Sequence, residues 1–175
     1  MAATDPFHAA LDALDGLYEE VDRDATALAK RHAERLQCRR GCSGCCVDDI
    51  SVSAAEAERI RRGAPPVLTE VPHPAGACAF LDADGACRVY AHRPYVCRTQ
   101  GLPLRWFERR AGGDVELRDI CELNVAGPPL EALPDDDCWL LGPAEARLRE
   151  ISELLPGGAA GRIRLRSLFR RPETG

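Results

Sequence analysis

An α+β fold is predicted, a small single domain with a long N-terminal helix, short β-hairpins and a cysteine-rich centre. Three observations predict it. Apolar residues recur at three- and four-residue steps along the first part of the chain, short turn-flanked segments follow, and four of the nine cysteines, Cys38, Cys42, Cys45 and Cys46, crowd into one short stretch.

The elements follow in order. From about Asp5 to Leu36, Leu11, Leu14, Tyr18, Val21, Ala25, Leu28 and His32 form one apolar stripe, with Asp12, Asp15, Glu19, Asp22 and Arg23 between them. Asp5-Pro6 supplies a cap and a first-turn proline. Ile50-Ser51-Val52 alternates like a short strand, and Ser53-Ala54-Ala55-Glu56 is a capping box opening a helix that Gly63 and Pro65-Pro66 end. Cys78 to Leu81, Asp82 to Gly85 and Cys87 to Tyr90 read as strand, turn and strand. Pro94 starts a helical turn carrying Cys97. A second hairpin pairs Leu104 to Phe107 with Val115 to Leu117, turning through Gly112-Gly113-Asp114, and Pro143 to Leu155 is a final amphipathic helix with Leu148, Ile151 and Leu155 on one side. The organisation expected is a helix over 1–36, a cysteine-rich domain over 37–155, and a linker and basic tail over 156–175.

The cysteines carry the chemistry. Thiolates repel one another unless a cation neutralises them, so Cys38-x3-Cys42-x2-Cys45-Cys46 in a reduced protein points to a soft metal, zinc or iron. Gly41 and Gly44 fit a backbone that turns its sulfurs inward at positive φ. A disulfide framework fits poorly: nine is odd, Cys45 and Cys46 are adjacent, and MAATDPFHAALDALDG has neither a basic n-region nor a long apolar h-region. In an extended backbone Cys45 and Cys46 would face opposite ways, so they would serve two metals or one would be structural. His32 reads as a packed residue on the helix stripe, whereas His73 and His92 are candidates to replace a sulfur. Cys121 and Cys138 read first as packing residues.

The motifs Cys38-x3-Cys42-x2-Cys45-Cys46 and Cys78-Ala-Phe-Leu-Asp-Ala-Asp-Gly-Ala-Cys87-Arg-Val-Tyr90-Ala-His-Arg93-Pro94-Tyr-Val-Cys97-Arg98 resemble the YkgJ-like cysteine-cluster family, described as zinc- or iron-chelating. The resemblance covers roughly residues 38 to 100. It implies a zinc- or iron-binding site, with zinc or an iron-sulfur cluster as cofactor, and the residues themselves favour convergence of Cys42, Cys45, Cys78, Cys87 and Cys97 as ligands, ahead of Cys38 and Cys46. One relative, the flagellin lysine N-methylase, is associated with an iron-sulfur cluster. This chain has no obvious glycine-rich cofactor loop, so that activity does not carry over.

Three function classes stay open. A metal-binding protein needs only the cysteines and leads. An iron-sulfur-dependent enzyme, or an accessory factor related to protein lysine N-methylation, needs an open ligand position and an acid-base partner, for which Glu108, Asp119 and His92 are candidates. A zinc-stabilised interaction module would use the tail, where Arg162-Ile163-Arg164-Leu165-Arg166 alternates charge and apolarity and Arg170-Arg171 follow. Docking of that tail as an edge strand is favoured over binding of nucleic acid or an acidic partner. Arg88, Arg93 and Arg98 stand beside cysteines in sequence, either offsetting thiolate charge or forming surface salt bridges. A net charge of -5 argues against bulk nucleic-acid affinity, and no apolar run reaches the ~18 residues of a membrane span, so a cytoplasmic protein is expected.

Overall fold

Asp5 accepts a hydrogen bond from the Phe7 amide at 3.0 Å, satisfying one of the donors left over where a helix begins, and α1 runs from His8 to Arg31. In the computed structural model, which describes residues 5–158 and 161–169, this helix buries the expected stripe of Leu14, Tyr18, Val21, Ala25 and Leu28. It stops short of Leu36. The His32 amide is shared between the carbonyls of Leu28 and Ala29, both at 3.2 Å, and the Arg35 amide reaches His32 O at 3.0 Å, so the last turn tightens and ends. His32 is buried and its Nε2 lies 2.8 Å from the Asp137 carbonyl, as a packed histidine should. The first four residues, and Arg170 and Arg171 of the tail, lie outside the described residues.

The described chain forms two compact units, each assembled from segments distant in sequence. The first draws on residues 5–16, 40–94 and 148–169, the second on 17–39 and 95–147.

In the first unit β1, Ser51–Ser53, pairs antiparallel with a strand near the chain's end, Arg162–Arg164, with Val52 opposite Ile163. Directly after β1, the Ser53 hydroxyl accepts from the Glu56 amide and the Glu56 carboxylate accepts from the Ser53 amide at 2.8 Å, which is the predicted capping box opening α2, Ala54–Gly63. Val52, Ile60, Phe80, Leu165, Leu168 and Phe169 meet in one core, where the rings of Phe80 and Phe169 are 4.9 Å apart. The predicted strands around Cys78 and Cys87 reduce to a single bridge between Leu81 and Cys87. The Asp82 side chain closes that turn by accepting from the amides of Asp84 and Ala86, and a 3-10 turn at Tyr90–His92 curls the chain away before a ladder extends.

In the second unit a short helix, α3 (Tyr95–Thr99), follows Pro94 as expected. The hairpin pairs β2, Leu104–Arg110, with β3, Gly113–Asp119. Arg110 stands opposite Gly113, so the turn is Ala111-Gly112 and Gly113, at φ 119°, already belongs to the strand. A two-residue strand, β4 (Trp139–Leu140), adds parallel to β2, and Trp139 donates to the Tyr95 hydroxyl at 2.7 Å. The last helix is α4, Pro143–Glu153, which makes the Arg162–Arg164 strand β5. The fold class is α+β, with a long N-terminal helix and short sheets. Among the described residues no helix is long and apolar enough to cross a membrane.

The tail is docked by its apolar side. Leu165 and Leu168 are buried, and the Leu165 amide bonds to Ile50 O at 3.0 Å. Replacing either leucine with serine should cost ~2–5 kcal/mol, the range for emptying a buried leucine site. Arg164→Gln, at an exposed position, should fall within ~0.5 kcal/mol of wild type. Urea midpoints for the three variants check this, and a stable serine variant would show the tail contributes nothing to the core.

Candidate metal centre

The cluster loop begins at Gly41, whose φ of 83° explains the glycine, whereas Gly44 needs no left-handed conformation. The Cys46 amide returns to Ser43 O at 2.9 Å, so Ser43 to Cys46 form a turn. A turned backbone removes the alternation expected of an extended one. The Cys45 and Cys46 side chains hydrogen-bond to each other, and that bond brings the Cys45 thiol down to about 6, easing loss of a proton from the pair.

Three contacts join this loop to the turn that carries Cys78 and Cys87. The Cys78 amide donates to Cys46 O at 2.7 Å. Cys46 and Cys87 both pack against the core cluster that contains Cys78. A methyl added to Gly85 would meet Ser43 Oγ at 3.4 Å and Gly41 O at 3.5 Å, so the tip of the turn lies on the backbone beside Cys42. Burial pushes the thiols of Cys78 and Cys87 up, with Cys78 adding to the rise at Cys87. Arg88 and Arg93 act in the opposite sense on Cys87. Arg88 also pairs with Glu70 at 2.9 Å and donates to Ala79 O at 2.8 Å, so it is both a salt bridge and a source of positive potential near the sulfurs. Arg98 has a structural role: it pairs with Asp22 and stacks 3.7 Å over the Tyr18 ring.

The first unit thus holds Cys42, Cys45, Cys46, Cys78 and Cys87, and the second holds Cys38, Cys97, Cys121 and Cys138. Among the described residues no three His, Cys, Asp or Glu side chains converge closely enough to grip a metal ion, so the shell is not preformed. The donor set still fits zinc or iron. Sulfur ligands suit both metals, the Cys45-Cys46 hydrogen bond favours loss of a proton from the pair, and thiol protons are exchangeable for a cation.

In the second unit Cys38 has a specific support that sequence reasoning missed. The fully buried Asn124 side chain donates to Cys38 Sγ at 3.4 Å and to Gly101 O at 2.8 Å, while its oxygen accepts from the Gln37 amide at 2.8 Å. Gly101 sits at φ 92°, and a methyl there would press to 2.6 Å from Cys38 Sγ. Cys121 begins the 3-10 turn that places Asn124. Cys138 is buried, with Arg118 donating to its sulfur at 3.8 Å. Among the histidines, His73 is held by its backbone against Ala79 O, and the His92 ring lies where a Gly63 side chain would go. Asp119 accepts from the neighbouring Ile120 amide at 2.8 Å. Glu108 is tied to Trp106 and Arg110, which hold its carboxyl below the usual range. A general acid near neutrality needs the reverse shift.

The fold and these sulfurs define a thiol-rich protein with the chemistry of a metal chelator. Residues 37–121, just under half of the chain, match the CxxCxxCC family model, described as "Putative zinc- or iron-chelating domain". Its span runs from just before Cys38 to Cys121 and includes every cysteine except Cys138. No curated protein and no solved structure matches the chain significantly.

Proposed function

We propose that this protein holds zinc or an iron-sulfur cluster through thiolates, with Cys42, Cys45, Cys78 and Cys87 as the principal donors of the first unit and Cys46 as their hydrogen-bonded neighbour. The observation that carries this reading is the 2.7 Å bond from the Cys78 amide to Cys46 O, which fastens two cysteine-bearing segments to each other. Four thiolates delivered by a loop and a turn match the tetrahedral demand of either metal, since both accept ligation by four cysteines. Cys38 and Cys97 are proposed as thiolate donors of the second unit. No disulfide ties up any of the nine cysteines, which suits a reducing, cytoplasmic setting. When bound, the metal supplies charge neutralisation and a cross-link; the chain supplies the turns that orient the sulfurs and the arginines that temper their charge.

Anaerobic purification followed by elemental analysis tests the reading. A brown protein with iron and inorganic sulfide identifies a cluster, and a colourless protein with stoichiometric zinc identifies a zinc site. Cys42→Ser and Cys87→Ser should each lose most of the bound metal. Wild-type protein that takes up neither metal, even after reconstitution, would overturn the proposal.

A further inference from the structure

The C-terminal tail does more than fill the core. Arg166 stands between two buried leucines, Leu165 and Leu168, yet its guanidinium points into the loops around the cysteines. Nε donates to Asp48, two residues after Cys46. Nη1 donates to His73 O at 2.7 Å, and Nη2 donates to Pro74 O at 3.2 Å and to the carbonyl of Ala77, the residue before Cys78, at 2.9 Å. Asp48 completes the ring by accepting from the Gly76 amide at 3.1 Å. One planar cation therefore bonds to both segments that bear sulfurs, and does so from outside the matched domain.

We infer that Arg166 is a positioning residue for the metal centre, a clamp that ties the loop after the Cys45-Cys46 turn to the approach to Cys78 and so limits how far the two segments can part when their sulfurs close on a shared metal. This rests on the thiolate reading of the first unit given above. Geometry explains why arginine is needed. The fork presents its donors in one plane toward acceptors on different sides, whereas a lysine ammonium concentrates three donors at a single point and cannot span them. Without the clamp the carbonyls of His73, Pro74 and Ala77 lose this donor at once, and the two segments fall back on the Cys78 amide bond to Cys46 O and the Gly76 amide bond to Asp48 as hydrogen-bonded ties. Residues that orient metal ligands from behind typically change affinity by about 10- to 100-fold when removed.

The experiment is transfer of zinc from reconstituted full-length protein to a competing chelator, followed for wild type, R166K, R166Q, D48N and the tail control R162Q. Arg162 belongs to the same tail but bonds to Ser51, away from the loops, with Nε 2.9 Å from the hydroxyl. The expected result is zinc held about 10- to 100-fold less tightly by R166K and R166Q, a smaller loss in D48N, and wild-type retention in R162Q. Cobalt substitution gives a second readout: the sulfur-to-cobalt charge-transfer band should weaken or shift in R166K while its metal-free far-UV circular dichroism spectrum stays that of metal-free wild type. R166K that holds zinc and colours with cobalt as wild type does would overturn the clamp while leaving the thiolate site standing. Wild-type protein that takes up no metal would overturn both.

Discussion

Stripping the metal from this protein should lower its melting temperature by tens of degrees or abolish the cooperative transition. A structural zinc site contributes on the order of 10–16 kcal/mol of apparent binding energy, as large as the ~5–15 kcal/mol that holds a typical domain folded. The core has little to set against that loss. The chain has only four phenylalanines and two tryptophans, and the first unit's core cluster contains two rings, Phe80 and Phe169. Loss of the cross-link would also leave Cys78 held only by its place in the small core cluster and by hydrogen bonds. Circular dichroism melts before chelation, after it, and after zinc is restored measure the effect. An unchanged transition in fully metal-free protein would show that the cysteines decorate a self-sufficient fold.

Phe80→Ala should cost ~3–5 kcal/mol, the range for deleting a buried aromatic side chain. Phe80 is 1% exposed and packs against Phe169. Its backbone carbonyl accepts from the Arg88 amide at 2.9 Å, inside the turn that presents Cys78 and Cys87. The substitution therefore loosens the core and the ligand turn together. Leu123→Ala, at a side chain 57% exposed, should stay within ~0.5 kcal/mol of wild type. Denaturant midpoints compare the two; a Phe80→Ala cost under ~1 kcal/mol would mean that the cavity collapses and the ring is dispensable.

Local signals in the sequence are reliable where the structure they encode is local. The capping box at Ser53 and Glu56, the Asp5 cap and the Leu104–Asp119 hairpin all depend on residues close together in the chain, and each is present. The helical period overestimates the end of α1, because His32 keeps that period while Arg35 is drawn to Ala126 O and Pro128 O by contacts no local pattern announces. The hairpin at Cys78 is overread for a similar reason. Its turn chemistry is real, but the 3-10 turn at Tyr90 shortens the ladder to one bridge. At the site, cysteine spacing singles out the residues proposed as donors, and strand alternation does not apply to Cys45 and Cys46 because a turn carries them, although the reading that one of the two is structural persists in the proposed donor set. Asn124 and Arg166 are not legible at all. An asparagine held against Cys38 and an arginine held against Asp48 are pairings between residues far apart in the chain, and only tertiary structure reveals them.

The pairing of β1 with β5 has a consequence for how the protein is made. Strand β1 and α2 leave the ribosome long before the residues that cover them, and at ~5–20 residues per second the interval between Cys87 and Phe169 lasts roughly 4–16 s. Throughout that interval the nascent thiols face the surrounding solution without Leu165, Leu168 or Arg166 behind them. Early metal capture would therefore occur on an unfinished scaffold, and arrival of the final strand would convert a loose, exchangeable complex into a retained one. A nascent chain stalled before residue 162 should accordingly surrender its zinc to a chelator far faster than the released protein does.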